Sequence, residues 1–80
     1  MKKRMNEILL NKINSKTYPG VDMAFVENYN LLHEEFGFDS LDIMEVIIEC
    51  EGAFGRRIPD DRAAGVRTKE DIYNLFEDAN

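Results

Sequence analysis

The sequence predicts a small all-α fold: a four-helix bundle with three main helices, one short third helix and a long loop between helices one and two. Three observations point there. Apolar residues recur at helical spacing in three separate stretches, glycine or proline punctuates the chain between them, and side chains able to cap a helix stand at several starts. The 80 residues, 44% of them hydrophobic, make one core of the size at which a domain is only just self-sufficient. Residues 1–80 are therefore expected to form a single domain with no internal repeat.

The first helix is expected from about Lys2 to Lys16. Met5, Ile8, Leu9 and Ile13 form one apolar stripe, and Lys12 and Lys16 near its end suit the negative pole of the helix dipole. Thr17-Tyr18-Pro19-Gly20 stops it, because proline cannot continue a helix. From Val21 to Phe38 the pattern is mixed and rich in aromatic residues. It reads as a packed loop with one short helical turn around Ala24 to Asn30, anchored in the core by Leu31 and Leu32.

The second helix begins at Ser40 and is expected to reach Glu51, with Gly52 as a left-handed C-cap. Asp39 is placed to cap its start. At about 100° per residue, its side chains fall into three sectors. Ile43, Val46, Ile47 and Cys50 share one. Leu41, Met44 and Ile48 share a second, roughly opposite, and Asp42, Glu45 and Glu49 fill the third. A bundle helix needs one apolar stripe for the core, so the second stripe is surplus, either further core or an exposed patch of the kind that marks a binding surface. A short third helix, Asp61 to Ala64, follows with Asp60 as its cap and Gly65 as its stop. Thr68 and Asp71 have capping-box spacing and open a fourth helix to about Asp78, with Ile72, Leu75 and Phe76 facing inward.

Charge narrows the function. A net charge of −6, from 16 acids and 10 bases, speaks against nucleic acid and for partners with basic surfaces. No apolar run is long enough to span a membrane, and polar residues interrupt any signal-peptide core after Met1-Lys2-Lys3-Arg4. The single Cys50 cannot form an internal disulfide, which fits the cytoplasm. His33 and Cys50 each stand alone, so no zinc site is expected. Residues 39–43 lack the ligand pattern of a calcium loop.

No catalytic set is expected either: Ser40 has no evident base, Gly-x-Ser-x-Gly is absent, and Cys50 lies on the core face. Ser40 itself falls at the first helical position, pointing out of the helix end. On the residues alone it is either part of a capped turn or a handle for a modification, since an anion attached there would meet backbone N–H groups and the positive end of the dipole.

Gly37-Phe38-Asp39-Ser40-Leu41-Asp42, the helix with Glu45, and then Phe54 followed by Ile58-Pro59-Asp60 resemble the acyl carrier protein family. The likeness extends through Thr68 to Leu75 and, more loosely, to the first helix. It implies a carrier without catalysis of its own, expected to be a monomer. Ser40 would bear 4′-phosphopantetheine, transferred from coenzyme A by a separate phosphopantetheinyl transferase, and acyl groups would ride on the arm's thiol as thioesters. Asp39 and Leu41 complete the attachment motif. Leu41, Asp42, Met44, Glu45, Ile48 and Glu49 match the surface that family members offer to basic patches on acyl-transferring enzymes. Ile43, Val46, Ile47, Cys50 and Ile58 are candidates to line an acyl cavity. The long aromatic loop, Gly52 and Arg56-Arg57 depart from the common pattern and fit a specialised carrier in fatty-acid, lipid or polyketide-type biosynthesis. Two alternatives stand beside this reading, a D-alanyl or aminoacyl carrier and a helical interaction module in which Ser40 is only an N-cap.

Overall fold

The first apolar stripe does build a helix. In the computed structural model, which describes residues 1–77, α1 runs Lys2–Lys12 and buries Met5, Ile8 and Leu9. Its continuation, Ile13–Thr17, widens into a π-helical turn, closed by the Tyr18 N–H donating to the Ile13 carbonyl at 2.8 Å. Such turns are uncommon and often mark functional positions. Here Thr17 Oγ1 donates to the Phe36 carbonyl at 2.9 Å, which ties the end of the helix to the loop ahead of Ser40.

The mixed stretch holds a second helix, α2, Met23–Asn28, capped by Asp22. Around it runs an aromatic chain. Phe25 lies 5.9 Å from Tyr18, 4.8 Å from Tyr29 and 5.8 Å from Phe36, and Phe36 lies 5.8 Å from Phe38. Leu32 is fully buried, as expected of an anchor, but Leu31 is 38% exposed. Leu31 instead pairs through its backbone with Thr68 in an isolated antiparallel bridge, and that pairing turns its side chain outward. The same seam carries Lys69 N–H to Asn30 O at 2.8 Å and Leu32 N–H to Arg67 O at 3.2 Å.

The central helix, α3, runs Ser40–Phe54, three residues beyond the expected end. Gly52 is a helix-interior residue, and the left-handed cap is Gly55 at φ 66°. A glycine inside a helix costs about 1 kcal/mol relative to alanine. The Phe54 ring, 5.6 Å from Phe76, lies beyond it and holds the last turn in place. The short helix α4 spans Asp60–Ala63, one residue earlier than expected, and Asp60 is its first residue rather than its cap. The Pro59 carbonyl accepts from Arg62 and Ala63 N–H, each at 3.1 Å. Helix α5, Lys69–Glu77, has the expected capping box: Asp71 N–H donates to Thr68 Oγ1 at 3.0 Å and Thr68 N–H to Asp71 Oδ2 at 3.1 Å. Asp78 lies outside the described residues.

α1 packs against both α2 and α3. Phe36, Phe38, Phe76, Leu9, Leu32 and Ile47 are among the largest fully buried side chains. A buried cation joins α5 to α2. Lys69 Nζ donates to the Val26 and Glu27 carbonyls at 2.6 and 3.2 Å, satisfying carbonyls that the end of α2 leaves free. Among the described residues the fold is all-α, and no helix is long and apolar enough to cross a membrane.

Candidate functional site

The loop before α3 is built to present one side chain. Gly37 has φ 74°, a left-handed conformation that glycine adopts without strain, and a Cβ there would meet Thr17 Cγ2 at 3.2 Å. Phe38 is fully buried and sets the depth at which the next residues emerge. Asp39 is the N-cap, and the cap is reciprocal. Asp42 N–H donates to Asp39 Oδ1 at 2.9 Å, and Asp39 N–H donates to Asp42 Oδ2 at 3.0 Å. Capping thus falls wholly to the two aspartates. Ser40, exposed at the first position of α3, is left with a hydroxyl that makes no hydrogen bond among the described residues.

Asp42 corrects the sector arithmetic. It was expected on the exposed acidic ridge, yet it is only 1% exposed, because its carboxylate folds back to close the cap. Its other oxygen meets Lys16 Nζ at 2.6 Å, with Lys12 Nζ at 3.8 Å. Burial pushes this carboxyl up, but the Lys16 contact, the Asp39 amide and the two lysine charges outweigh it, so it sits below the usual aspartate range. Lys16 is correspondingly held above its ordinary value, chiefly by Asp42. The π turn thereby brings two cations from the end of the first helix beneath the start of α3.

The remaining sectors fall where helix geometry put them. Leu41 and Ile48 are 61% and 57% exposed, and Met44 is exposed with them, so the surplus apolar stripe is a surface. Glu45 and Glu49 are exposed beside it, with Glu45 paired to Lys12. On the opposite side Val46, Ile47, Cys50 and Ile58 are packed into the core. They do not border the cleft that opens next to Ser40. That cleft, about 260 Å³, is lined by Ile43 and Met44 of α3, Ala63 of α4, and Val66 and Arg67 of the following loop. Of the five expected cavity residues only Ile43 reaches it. The other four are buried among the core side chains.

Burial pushes the Cys50 thiol up to about 12, with Glu49 adding to the effect and Arg4 opposing it. In native protein at pH 8 an aromatic disulfide reagent should therefore modify Cys50 more than ~100-fold more slowly than in unfolded protein, since only the thiolate reacts. Fast labelling of the native chain would show that the thiol is reachable.

The geometry can be set beside known proteins. Residues 19–76 match the family model described as a phosphopantetheine attachment site. An acyl carrier protein of Rubrobacter xylanophilus is 40% identical over 70 residues, covering 85% of this chain and 86% of that one. This chain belongs to the acyl carrier protein family. An acyl carrier protein of Syntrophobacter fumaroxidans is 35% identical over 57 residues, 71% of this chain and 70% of that one. An acyl carrier protein homolog of Ureaplasma parvum is 32% identical over 53 residues, 66% and 69% of the two chains.

A phosphopantetheine attachment domain needs a hydroxyl that is accessible and uncommitted, and the residues around Ser40 meet that need. The sequence set His33 aside as a lone histidine and gave no site role to Arg67 or to the lysines beneath Asp42. Only the last had a signal: Asp39-x-x-Asp42 has the spacing of the Thr68-x-x-Asp71 box.

Proposed function

We propose that this carrier bears its 4′-phosphopantetheine on Ser40 and delivers acyl groups within a specialised biosynthetic route. One observation carries the proposal. The Ser40 hydroxyl is exposed and free at the head of α3 because Asp39 and Asp42 have taken over the cap. When bound, the arm supplies a terminal thiol that holds acyl groups as thioesters. The chain's own residues do the rest. Asp39 and Asp42 hold the helix end rigid, so that Ser40 meets a transferase in one orientation. Leu41, Met44 and Ile48, flanked by Glu45 and Glu49, form the docking face for the phosphopantetheinyl transferase and for acyl-handling enzymes with basic patches. Ile43 and Met44 begin an apolar cleft that can shelter part of the arm or its cargo. Its volume is about 260 Å³. The buried Cys50 agrees with work in the cytoplasm.

The test is incubation with coenzyme A and a broad-specificity phosphopantetheinyl transferase, followed by mass spectrometry of the intact chain. The expected result is a gain of one phosphopantetheine group, abolished in Ser40→Ala. No gain would overturn the carrier assignment of Ser40, and a gain retained in Ser40→Ala would move attachment to another side chain. Because Cys50 is buried, the loaded native protein should also show one fast-reacting thiol where the unloaded protein shows none.

A further inference from the structure

Two clefts flank Ser40, and the residues bordering both are Ser40 itself, Ile43 and Arg67. The one described above continues over apolar side chains, Met44, Ala63 and Val66. The other runs past Asp39, Glu34 and His33. Arg67 stands on the divide, and its backbone is fixed from two sides. Its carbonyl accepts from Leu32 N–H at 3.2 Å, and its N–H donates to Asp71 Oδ2 at 2.9 Å. The guanidinium leans on its own loop through Nη1, which donates to the Val66 carbonyl at 3.2 Å and the Ala64 carbonyl at 3.5 Å. Among the described residues Nε and Nη2 have no hydrogen-bond partner.

We infer that Arg67 anchors the phosphodiester joined to Ser40 and thereby turns the arm into the apolar cleft, away from the acidic one. The inference rests on Ser40 being the attachment residue. A phosphodiester on Ser40 adds a negative charge next to Asp39 and Glu34, so it lies in an unfavourable field unless a cation faces it. The nearby lysine is already engaged, with Lys16 4.0 Å from Asp39 and 2.6 Å from Asp42. His33 Nδ1 is occupied by the Phe38 carbonyl at 2.9 Å, and the one ring nitrogen that remains cannot match two phosphate oxygens at once. Arg67 is left as the cation with spare donors, and its planar fork matches two phosphate oxygens at once. Arg67 is thus a positioning residue for the arm.

The test uses the full chain loaded from coenzyme A, with mass spectrometry confirming the load in wild type, Arg67→Gln and Arg67→Lys. Phosphorus NMR and isotope-edited cross-peaks between the arm's geminal methyls and the Ala63 and Val66 methyls are then compared. The expected result is at least a threefold loss of cross-peak intensity in Arg67→Gln, with the phosphorus resonance moved toward that of a free phosphodiester. Arg67→Lys should fall between, and 1 M salt should shift wild type in the same direction as Arg67→Gln. Arg67→Gln spectra that superimpose on wild type would overturn the role of Arg67 while leaving Ser40 attachment intact. Failure to load would overturn the attachment itself.

Discussion

Replacing Asp42 by alanine should lower stability by about 2–3 kcal/mol, the worth of a charge-assisted hydrogen bond together with half of a helix cap. For a domain of this size that is a fall of roughly 10–20 °C in the melting temperature. The exposed-ridge reading of Asp42 predicted almost no effect, since surface substitutions away from special features stay within about ±0.5 kcal/mol. The structural reason for the difference is that Asp42 accepts the Asp39 N–H and faces Lys16 and Lys12 while almost wholly buried. Lys12 keeps Glu45 and Lys16 keeps Asp39 as a neighbour, which limits the penalty, but the Asp39 amide is left without its acceptor.

The same group sets a pH signature. The Asp42 carboxyl is depressed in the folded chain, so its stabilisation is complete above the unfolded value of about 3.9 and is lost as pH falls through the folded value. Lys16 is raised from 10.5, so its share is complete below that value and is lost as pH rises through the folded one. The gap in urea midpoint between wild type and Asp42→Ala should therefore be widest between about pH 5 and 9 and shrink at pH 3. An equal gap at pH 3 and pH 7 would mean that the side chain acts by packing alone.

The helices of this fold were legible because each carries a full apolar stripe: Met5, Ile8 and Leu9 in α1, Val46 and Ile47 in α3, and Ile72 and Phe76 in α5 are all buried as their spacing required. Helix ends were less legible, since they depend on contacts from elsewhere. Gly52 has the right identity for a stop, yet Phe76, far along the chain, keeps the helix going through Phe54. Leu31 and Leu32 are equally apolar, and only the backbone pairing with Thr68 decides which turns outward.

At the site, sequence placed Ser40 and its cap correctly, because capping is local. The cleft beside Ile43 was not legible, because its far wall comes from Ala63, Val66 and Arg67, and no spacing within α3 reports where they lie. Arg67 was invisible for the same reason: it reaches the neighbourhood of Ser40 only because Leu32 and Asp71 pin its backbone there.

Ile48→Glu should reduce kcat/KM for loading by the phosphopantetheinyl transferase about 30-fold, the effect of losing one hot spot of about 2 kcal/mol. Ile48 lies on the surface of α3, eight residues beyond Ser40, or roughly 12 Å along the axis. It is therefore too distant to touch the Ser40 hydroxyl proposed to react, and a loss there reports docking. Since the side chain is 57% exposed, the melting temperature should move by less than about 4 °C. Glu49→Lys should give a smaller loss, roughly three- to tenfold, that fades in high salt, because rim charges act mainly on encounter. Glu45 is already paired with Lys12 and Asp42 is buried, so the ridge carries less usable charge than its three acids suggest. Apolar contact should accordingly dominate recognition. Unchanged loading of Ile48→Glu would assign the exposed stripe to some other partner, and a Glu49→Lys effect larger than that of Ile48→Glu would make charge the main determinant.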